Sequence, residues 1–332
     1  MLVDGHDPEA IAQAARLLAQ GELVALPTET VYGLGARADD DAAVARIFVA
    51  KGRPADHPLI VHVLDEAAAA PFAAEIPPVA RRLMAAFWPG PLTVIVPRAV
   101  GVAAAAAGGQ DTIGLRCPAH PVARALLAAA QALGVTGVAA PSANRFGRVS
   151  PTLAAHVVSE FELGLPGLLV LDGGECELGI ESSIVDCSRA HPVLLRPGVL
   201  TAAAIEAAAG EPLLAADASD RSAPRAPGSL AAHYAPRASV RLRTTEQLAA
   251  MSGKQWPPGV AVYSRTVGPA GSFGLRRMPD DARAAAHELF AVLRALDAAG
   301  AQQIWIECVP QAREWDGVRD RLSRAAAAFL EP

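Results

Sequence analysis

Short apolar runs alternate with helix-period stretches along most of the chain, and turn or capping residues mark their boundaries. Asp7-Pro8-Glu9 reads as an N-cap, a proline at the first helical position and an acidic first turn. Ile11, Ala14, Leu17 and Leu18 then form an apolar face that Gly21 closes. Leu23 to Leu26 predicts a buried strand that stops at Pro27. It opens into Thr28, Glu29, Thr30 and Tyr32, followed by Gly33-Leu34-Gly35, a pattern read as a polar, glycine-bearing loop. A helix capped by one of Asp39, Asp40 and Asp41 carries Val44, Ile47 and Phe48 and ends in Lys51-Gly52-Arg53-Pro54. The next apolar run, Pro58 to Val63, has His62 inside it.

The alternation continues with a helix from Pro77 to Trp88, stopped by Pro89-Gly90-Pro91, and strands at Leu92 to Val96 and Thr112 to Arg116. Arg116 on an apolar strand needs an anionic partner. His120 to Leu133 is helical, and Val135 to Ala140 is a small-residue strand ending in Pro141-Ser142-Ala143-Asn144. Past Arg145, Arg148 and Ser150-Pro151-Thr152 come a helix to about Phe161 and strands near Leu168 to Leu171, Ile180 to Val185 and Val193 to Leu195, the last ended by Arg196-Pro197-Gly198. Strands and helices in alternation predict an α/β sheet, whose ligands sit at strand ends. From Glu211 to about Ala238 the chain is rich in Ala, Pro, Ser and Asp without a sustained period, which marks a linker. Three strand-then-helix units follow: Val240 to Arg243 with Thr245 to Met251, Val260 to Tyr263 with Asp280 to Ala299, and Ile304 to Glu307 with Trp315 to Leu330. This spacing predicts a small parallel sheet with crossover helices.

The length of 332 residues suits two domains, and 52% hydrophobic content excludes disorder. No long, strongly apolar run predicts a membrane span, and the start lacks the pattern of a signal peptide. Cys117, Cys176, Cys187 and Cys308 are scattered without CxxC spacing, which suits free thiols and a reducing cytoplasm. A net charge of −5 leaves any RNA contact to a local patch.

Several familiar chemistries are excluded. Gly33-Leu34-Gly35 is followed by no acidic strand tip at dinucleotide spacing, and no phosphate-cradling GxxxxGK[ST] loop exists. His57 and His62 do not share one face of a strand, which disfavours zinc. Ser142 is not in a nucleophile elbow. Taken singly, Lys51 and Arg53 complement a helix C-terminus, Ser142 and Asn144 are turn residues, and His62 is a core histidine. Together with Arg116 and Arg196, at strand and helix ends of one domain, they make a pocket for a polyanion.

The blocks PTETVYGLG, KGRP with HPLIVHV, WPGPLT, TIGLRCP, APSAN, FGRVSPT, GIESSIVD and LLRPG resemble, in order, the landmarks of the YrdC-like threonylcarbamoyl-adenylate synthases in their longer two-domain form. The resemblance implies a twisted mixed sheet flanked by helices over residues 8–202, a linker and lid over 203–238, and a small Rossmann-like parallel-sheet domain over 239–332. It also implies a nucleotidyltransferase that turns ATP, L-threonine and bicarbonate into threonylcarbamoyl-adenylate and pyrophosphate. The product supplies the modified adenosine beside the anticodon of tRNAs that read codons beginning with A. Handover to the tRNA threonylcarbamoyl-transferase complex and a weak tRNA contact are implied as well.

By the same resemblance, Lys51 and Arg53 are the catalytic cations. ATP is met by Lys51, Arg53, His57, Thr112, Ser142, Asn144, Ser150 and Arg196. L-threonine is met by Thr30, His62, Arg116, the backbone at Ala140, and Ser182, with Arg116 on its carboxylate. Mg²⁺ arrives on the ATP phosphates, without a protein metal site or prosthetic group. His57 stands where the family's usual residue is Asn, and in the linker APGSLAAHYAP keeps only the Pro-Gly and the His233-Tyr234 of the usual run. Pro227 to Pro236 is expected to close over the pocket with Tyr234 on the nucleotide. The alternative is a plain spacer whose tyrosine packs on the C-terminal domain. Two rival functions are a carbamoyltransferase acting on carbamoyl phosphate, which would carry zinc-type cysteine pairs or a second catalytic domain, and an RNA-binding module, which has no need of Thr30, His62 or Ser182.

Overall fold

The computed structural model describes residues 1–161, 164–215, 223–251, 256–266 and 274–329. Within them, the first α/β unit is built on β1 (Leu2–Asp4), β2 (Val24–Leu26), β3 (Gly33–Arg37), β4 (Ile60–His62), β5 (Leu92–Pro97), β6 (Thr112–Arg116), β7 (Val138–Ala139), β8 (Leu169–Asp172), β9 (Ser183–Asp186), β10 (Val193–Arg196) and β11 (Leu214–Ala215). These form one mixed sheet in the order β1-β8-β2-β3-β7-β4-β6-β5-β9-β10-β11. Its helices are α1 (Pro8–Ala19), α2 (Asp41–Lys51), α3 (Glu66–Ala69), α4 (Pro78–Phe87), α5 (Pro121–Ala132), α6 (Ala154–Phe161) and α7 (Ala202–Ala209). Period-two alternation assigns the faces: Val24 and Leu26 pack under α1 and α5, whereas Ala25 joins the opposite core with Val44, Leu83 and Phe161.

The stretch read as a glycine loop is instead β3, antiparallel to β2 with Val24 opposite Gly35 and Leu26 opposite Gly33. The glycines are there for close packing. A Cβ on Gly35 would lie 2.9 Å from Val138 Cγ1 and 3.0 Å from Leu26 Cδ2, which two central strands cannot absorb. Alternation alone could not reveal this, because glycine carries no hydrophobic signal. The sequence reading likewise passes over β1, α3 and β11.

Asp40 caps α2 by accepting from Ala42 N and Ala43 N, a contact of about 1 kcal/mol. Gly52 ends the helix in the left-handed conformation at φ 61°. That stop leaves Lys51 and Arg53 buried on the inner side. Helix α7, which spans the boundary expected at 202, adds Ile205 and Ala209 to the N-terminal core.

The second unit has β12 (Ser239–Arg243), β13 (Val260–Ser264), β14 (Gly274–Arg277) and β15 (Gln303–Glu307), all parallel in the order β12-β15-β13-β14. Helices α8 (Thr245–Ala249), α9 (Ala282–Ala298) and α10 (Asp316–Ala327) accompany it. Strand β14 is an addition to the expected three strand-then-helix units. Among the described residues no helix is long and apolar enough to cross a membrane.

The segment between the units is clamped on both sides. Ala226 packs among Ile60, Ile95 and Ile184 of the large sheet, and Ala235 N donates to Gly147 O at 2.9 Å. On the other side His233 N donates to Arg324 O of α10 at 3.2 Å.

Candidate functional site

The ends of β4, β6, β7 and β10 and the turns beside them surround one pocket, walled by Thr28, Arg53, His62, Arg116, Ala140, Ser142, Glu181, Ser182 and Arg196. Pro227, Gly228, His233 and Tyr234 of the inter-domain segment close it. The enclosed space is about 50 Å³, enough for a few waters. A nucleotide therefore enters only if the segment moves.

Lys51 sits behind the Ser142-Ala143-Asn144 turn, with Nζ donating to Ser142 O at 2.5 Å and also to Asn144 O. Burial, reinforced by Arg53, holds its pKa well below the usual lysine value. Arg53 donates to Pro58 O at 2.9 Å, and burial lowers its pKa to about 10. Arg196 donates to Ser182 O at 2.9 and 3.1 Å and to Pro227 O at 2.8 Å, tying the pocket wall to the inter-domain segment. Arg53 repels the charge on Lys51, and Arg196 that on Arg53, so a pocket lined this way suits an anion even with Glu181 nearby.

Asn144 Nδ2 donates to Arg145 O and Arg148 O, while its buried Oδ1 has no partner among the described residues. Ser150 Oγ donates to Glu181 Oε1 at 2.5 Å. His57 lies at the rim, edge-on to Phe146 with centroids 5.4 Å apart. Thr112 opens onto a neighbouring crevice that also includes Pro58, Arg225 and Pro227. Lys51, Asn144 and Ser150 thus stand just behind the pocket wall, and His57 and Thr112 flank it.

Elsewhere in the pocket wall, Arg116 already has the anionic partner its burial demands. Nη2 donates to Glu29 Oε1 at 2.6 Å, Nη1 to Thr30 Oγ1 at 2.9 Å and Nε to Gly90 O at 3.3 Å. Burial opposes the charge on Glu29, but Arg116 wins and lowers its pKa. Burial, with Arg116 alongside, pushes His62 down to about 3, so its imidazole is neutral. Its Nδ1 is buried without a partner among the described residues. Ser182 Oγ hydrogen-bonds Thr93 Oγ1 at 2.8 Å.

Tyr234 joins the two expectations for the linker. It closes the pocket, and its ring also stacks on Phe290 of α9. Its φ of 62° is unusual for a bulky residue, and the backbone strain is of order 1–2 kcal/mol. Its hydroxyl, without a partner among the described residues, occupies the space beside Gly228, where a Cβ would come within 2.2 Å of it.

Residue types alone give Glu29, Glu181 and His233 no role in the site, although Glu29 stands in the polar stretch after β2 and His233 in the inter-domain run. The signal for the two glutamates is present: Glu29 directly precedes Thr30 and Glu181 directly precedes Ser182, both expected at the site. Among the described residues no group of three or more His, Cys, Asp or Glu side chains is placed to hold a metal ion.

Residues 16–198 match the "Telomere recombination" family model, and residues 200–327 match that of the "Threonylcarbamoyl-AMP synthase, C-terminal domain". The threonylcarbamoyl-AMP synthase of Pyrococcus abyssi is 39% identical over 94% of this chain and 93% of its own. That of Bacillus subtilis is 43% identical over 71% of this chain and 67% of its own. The crystal structure of P. abyssi Sua5 complexed with L-threonine superposes with a TM-score of 0.86 at 37% identity, covering 97% of this chain and 95% of that one. Both halves of the chain, and the order in which they come, place it in the threonylcarbamoyl-AMP synthase family.

Proposed function

We infer that this protein condenses ATP, L-threonine and bicarbonate into threonylcarbamoyl-AMP and pyrophosphate. The observation that carries the reading is the convergence of Arg53, Arg196 and the Lys51-supported Ser142 turn with a separate Arg116 clamp on one closable pocket. One half of the pocket suits a polyphosphate and the other an amino acid.

A carbamate oxygen of N-carboxythreonine attacks the α-phosphorus, and the bond to the bridging oxygen of pyrophosphate breaks. Lys51, Arg53 and Arg196 neutralise the departing charge, and His57, Thr112, Ser142, Asn144, Ser150 and Tyr234 position the nucleotide. Arg116, held flat by Glu29 and Thr30, takes the threonine carboxylate. Neutral His62, Thr30, Ser182 and the backbone at Ala140 receive the remaining amino-acid groups. Mg²⁺ supplies charge neutralisation when it comes in on the phosphates. Glu181 is the one acidic side chain lining the pocket among the described residues, and Ser150 and Arg321 occupy both its oxygens. Such a lining suits a metal carried by the ligand rather than a resident one.

The carbamate and the mixed anhydride both hydrolyse readily, so closure of residues 227–236 protects them. The product then serves tRNA modification, through handover to a threonylcarbamoyl-transferase complex with at most weak tRNA contact by this chain. Incubation with ATP, L-threonine and ¹³C-bicarbonate, read by mass spectrometry, is the test. An adenylate carrying threonine and one ¹³C is expected. Unlabelled threonyl-adenylate, or AMP and phosphate alone, would overturn the reading.

A further inference from the structure

Among the described residues the largest fully buried side chain is a cation from the C-terminal unit. Arg321 of α10 is fully buried, and its guanidinium reaches across to the pocket wall. Nε donates to Glu181 Oε2 at 2.8 Å, Nη2 to Glu181 O at 3.1 Å and Nη1 to Pro197 O at 2.8 Å. Asp320 fixes the same guanidinium at 2.8 Å, and Cζ lies 5.4 Å from the centroid of the Tyr234 ring. The helix is seated tightly: a Cβ on Gly317 would come within 2.4 Å of Gly198 O, so α10 meets the loop after β10 without slack.

Glu181 is the glutamate of the GIESSIVD block and faces the pocket beside Arg196. Left alone, a carboxylate there would pair with the cations meant for polyphosphate. It does not. Arg196 donates to Ser182 and Pro227, while Glu181 spends one oxygen on Arg321 and the other on Ser150. Burial opposes its charge, but Arg321, with smaller help from Arg196 and the Ser150 hydroxyl, outweighs that and lowers its pKa.

Building on the proposed function, we propose that Arg321 is a positioning residue for the ATP half of the pocket. It draws the Glu181 carboxylate backwards, which aims the Ser150 hydroxyl, leaves Arg196 and Arg53 available to phosphate, and backs the lid at Tyr234. The C-terminal unit thereby completes the catalytic pocket without touching substrate.

The test is the KM split in Arg321→Met, supported by calorimetric binding of a non-hydrolysable ATP analogue to the full chain. Freed from Arg321, Glu181 should turn to Arg196, raising KM for ATP and the analogue Kd by about tenfold or more. KM for threonine should change by less than about threefold. The pair Glu181→Gln with Arg321→Met removes the diverted charge and leaves no lone buried ion, so it should recover most of the analogue affinity. If Arg321→Met does not fold, the pair is compared with Glu181→Gln alone. The two should bind the analogue within about threefold of each other, since Arg321 acts through the carboxylate. Equal KM shifts for both substrates, an unchanged KM for ATP, or a pair no better than Arg321→Met would overturn the inference. A pair at least about tenfold weaker than Glu181→Gln would do the same. Wild-type protein that binds no ATP analogue would sink the functional reading and this inference with it, whereas intact wild-type binding with an unaffected variant sinks the inference alone.

Discussion

The ring of Tyr234 stacks on that of Phe290, with centroids 5.4 Å apart and planes 28° from parallel. One residue closes the pocket and the other belongs to α9, so the lid is held from behind by the C-terminal unit. The left-handed backbone at Tyr234 pulls toward release, and the stack opposes it. Phe290→Leu, which keeps most of the apolar volume at a fully buried core position, should remove about 1 kcal/mol of ring stacking and raise the open fraction roughly fivefold. Proteolysis near Arg225 and Arg237 is the measurement: faster cleavage in the variant is expected, slowed by ATP with threonine. Cleavage at the wild-type rate contradicts a lid held by this stack.

Lys51→Ala and Arg53→Ala should each lower turnover by at least about tenfold with unchanged circular dichroism. Their routes differ. Lys51 supports the carbonyls of the Ser142 turn, whereas Arg53 lines the pocket directly. Wild-type turnover in either variant, measured as pyrophosphate formed, would remove that cation from the site.

Much of this was legible in the chain because local chemistry set it. Asp7 and Asp40 cap their helices, Gly52 stops α2, and the cations follow at once. What stayed hidden depends on distant partners. The glycines of β3 make sense only once Val138 and Leu26 lie against them, 2.9 and 3.0 Å from where a Cβ would be. Arg116 announced the need for an anion, but that the anion is Glu29, 87 residues away, depends on the sheet order. Likewise Arg321 reads as one charge on an amphipathic helix until its reach to Glu181, 140 residues back, is seen.

The Arg116 and Glu29 side chains are nearly inaccessible, at 4% and 6% exposure, so removing one partner strands a charge. Arg116→Met alone should cost about 3–5 kcal/mol, and Glu29→Gln with Arg116→Met should recover much of it. Stability and substrate binding should then separate. The pair is expected to fold yet need at least about tenfold more threonine, with KM for ATP little changed. Equal rises in both KM values would take Arg116 off the carboxylate.

His62 and His233 are both pushed to about 3, chiefly by burial, against about 6.5 in an unfolded chain. Between those values the unfolded state binds more protons, so stability decreases as pH falls from 7 toward 5. His233 lies edge-on to Tyr234, with centroids 4.2 Å apart, so its protonation also loosens the lid. His233→Gln should show a shallower loss of urea midpoint between pH 7 and 5 than the wild type. An equal slope in both would show that His233 is not buried in neutral form.

The central claim is that one closable pocket joins three substrates in a single condensation. Pyrophosphate release, followed with ATP, L-threonine and bicarbonate each omitted in turn, tests it most directly. The account predicts release only when all three are present, lowered at least about tenfold in Lys51→Ala and Arg53→Ala. Pyrophosphate released at full rate without threonine or without bicarbonate would contradict it.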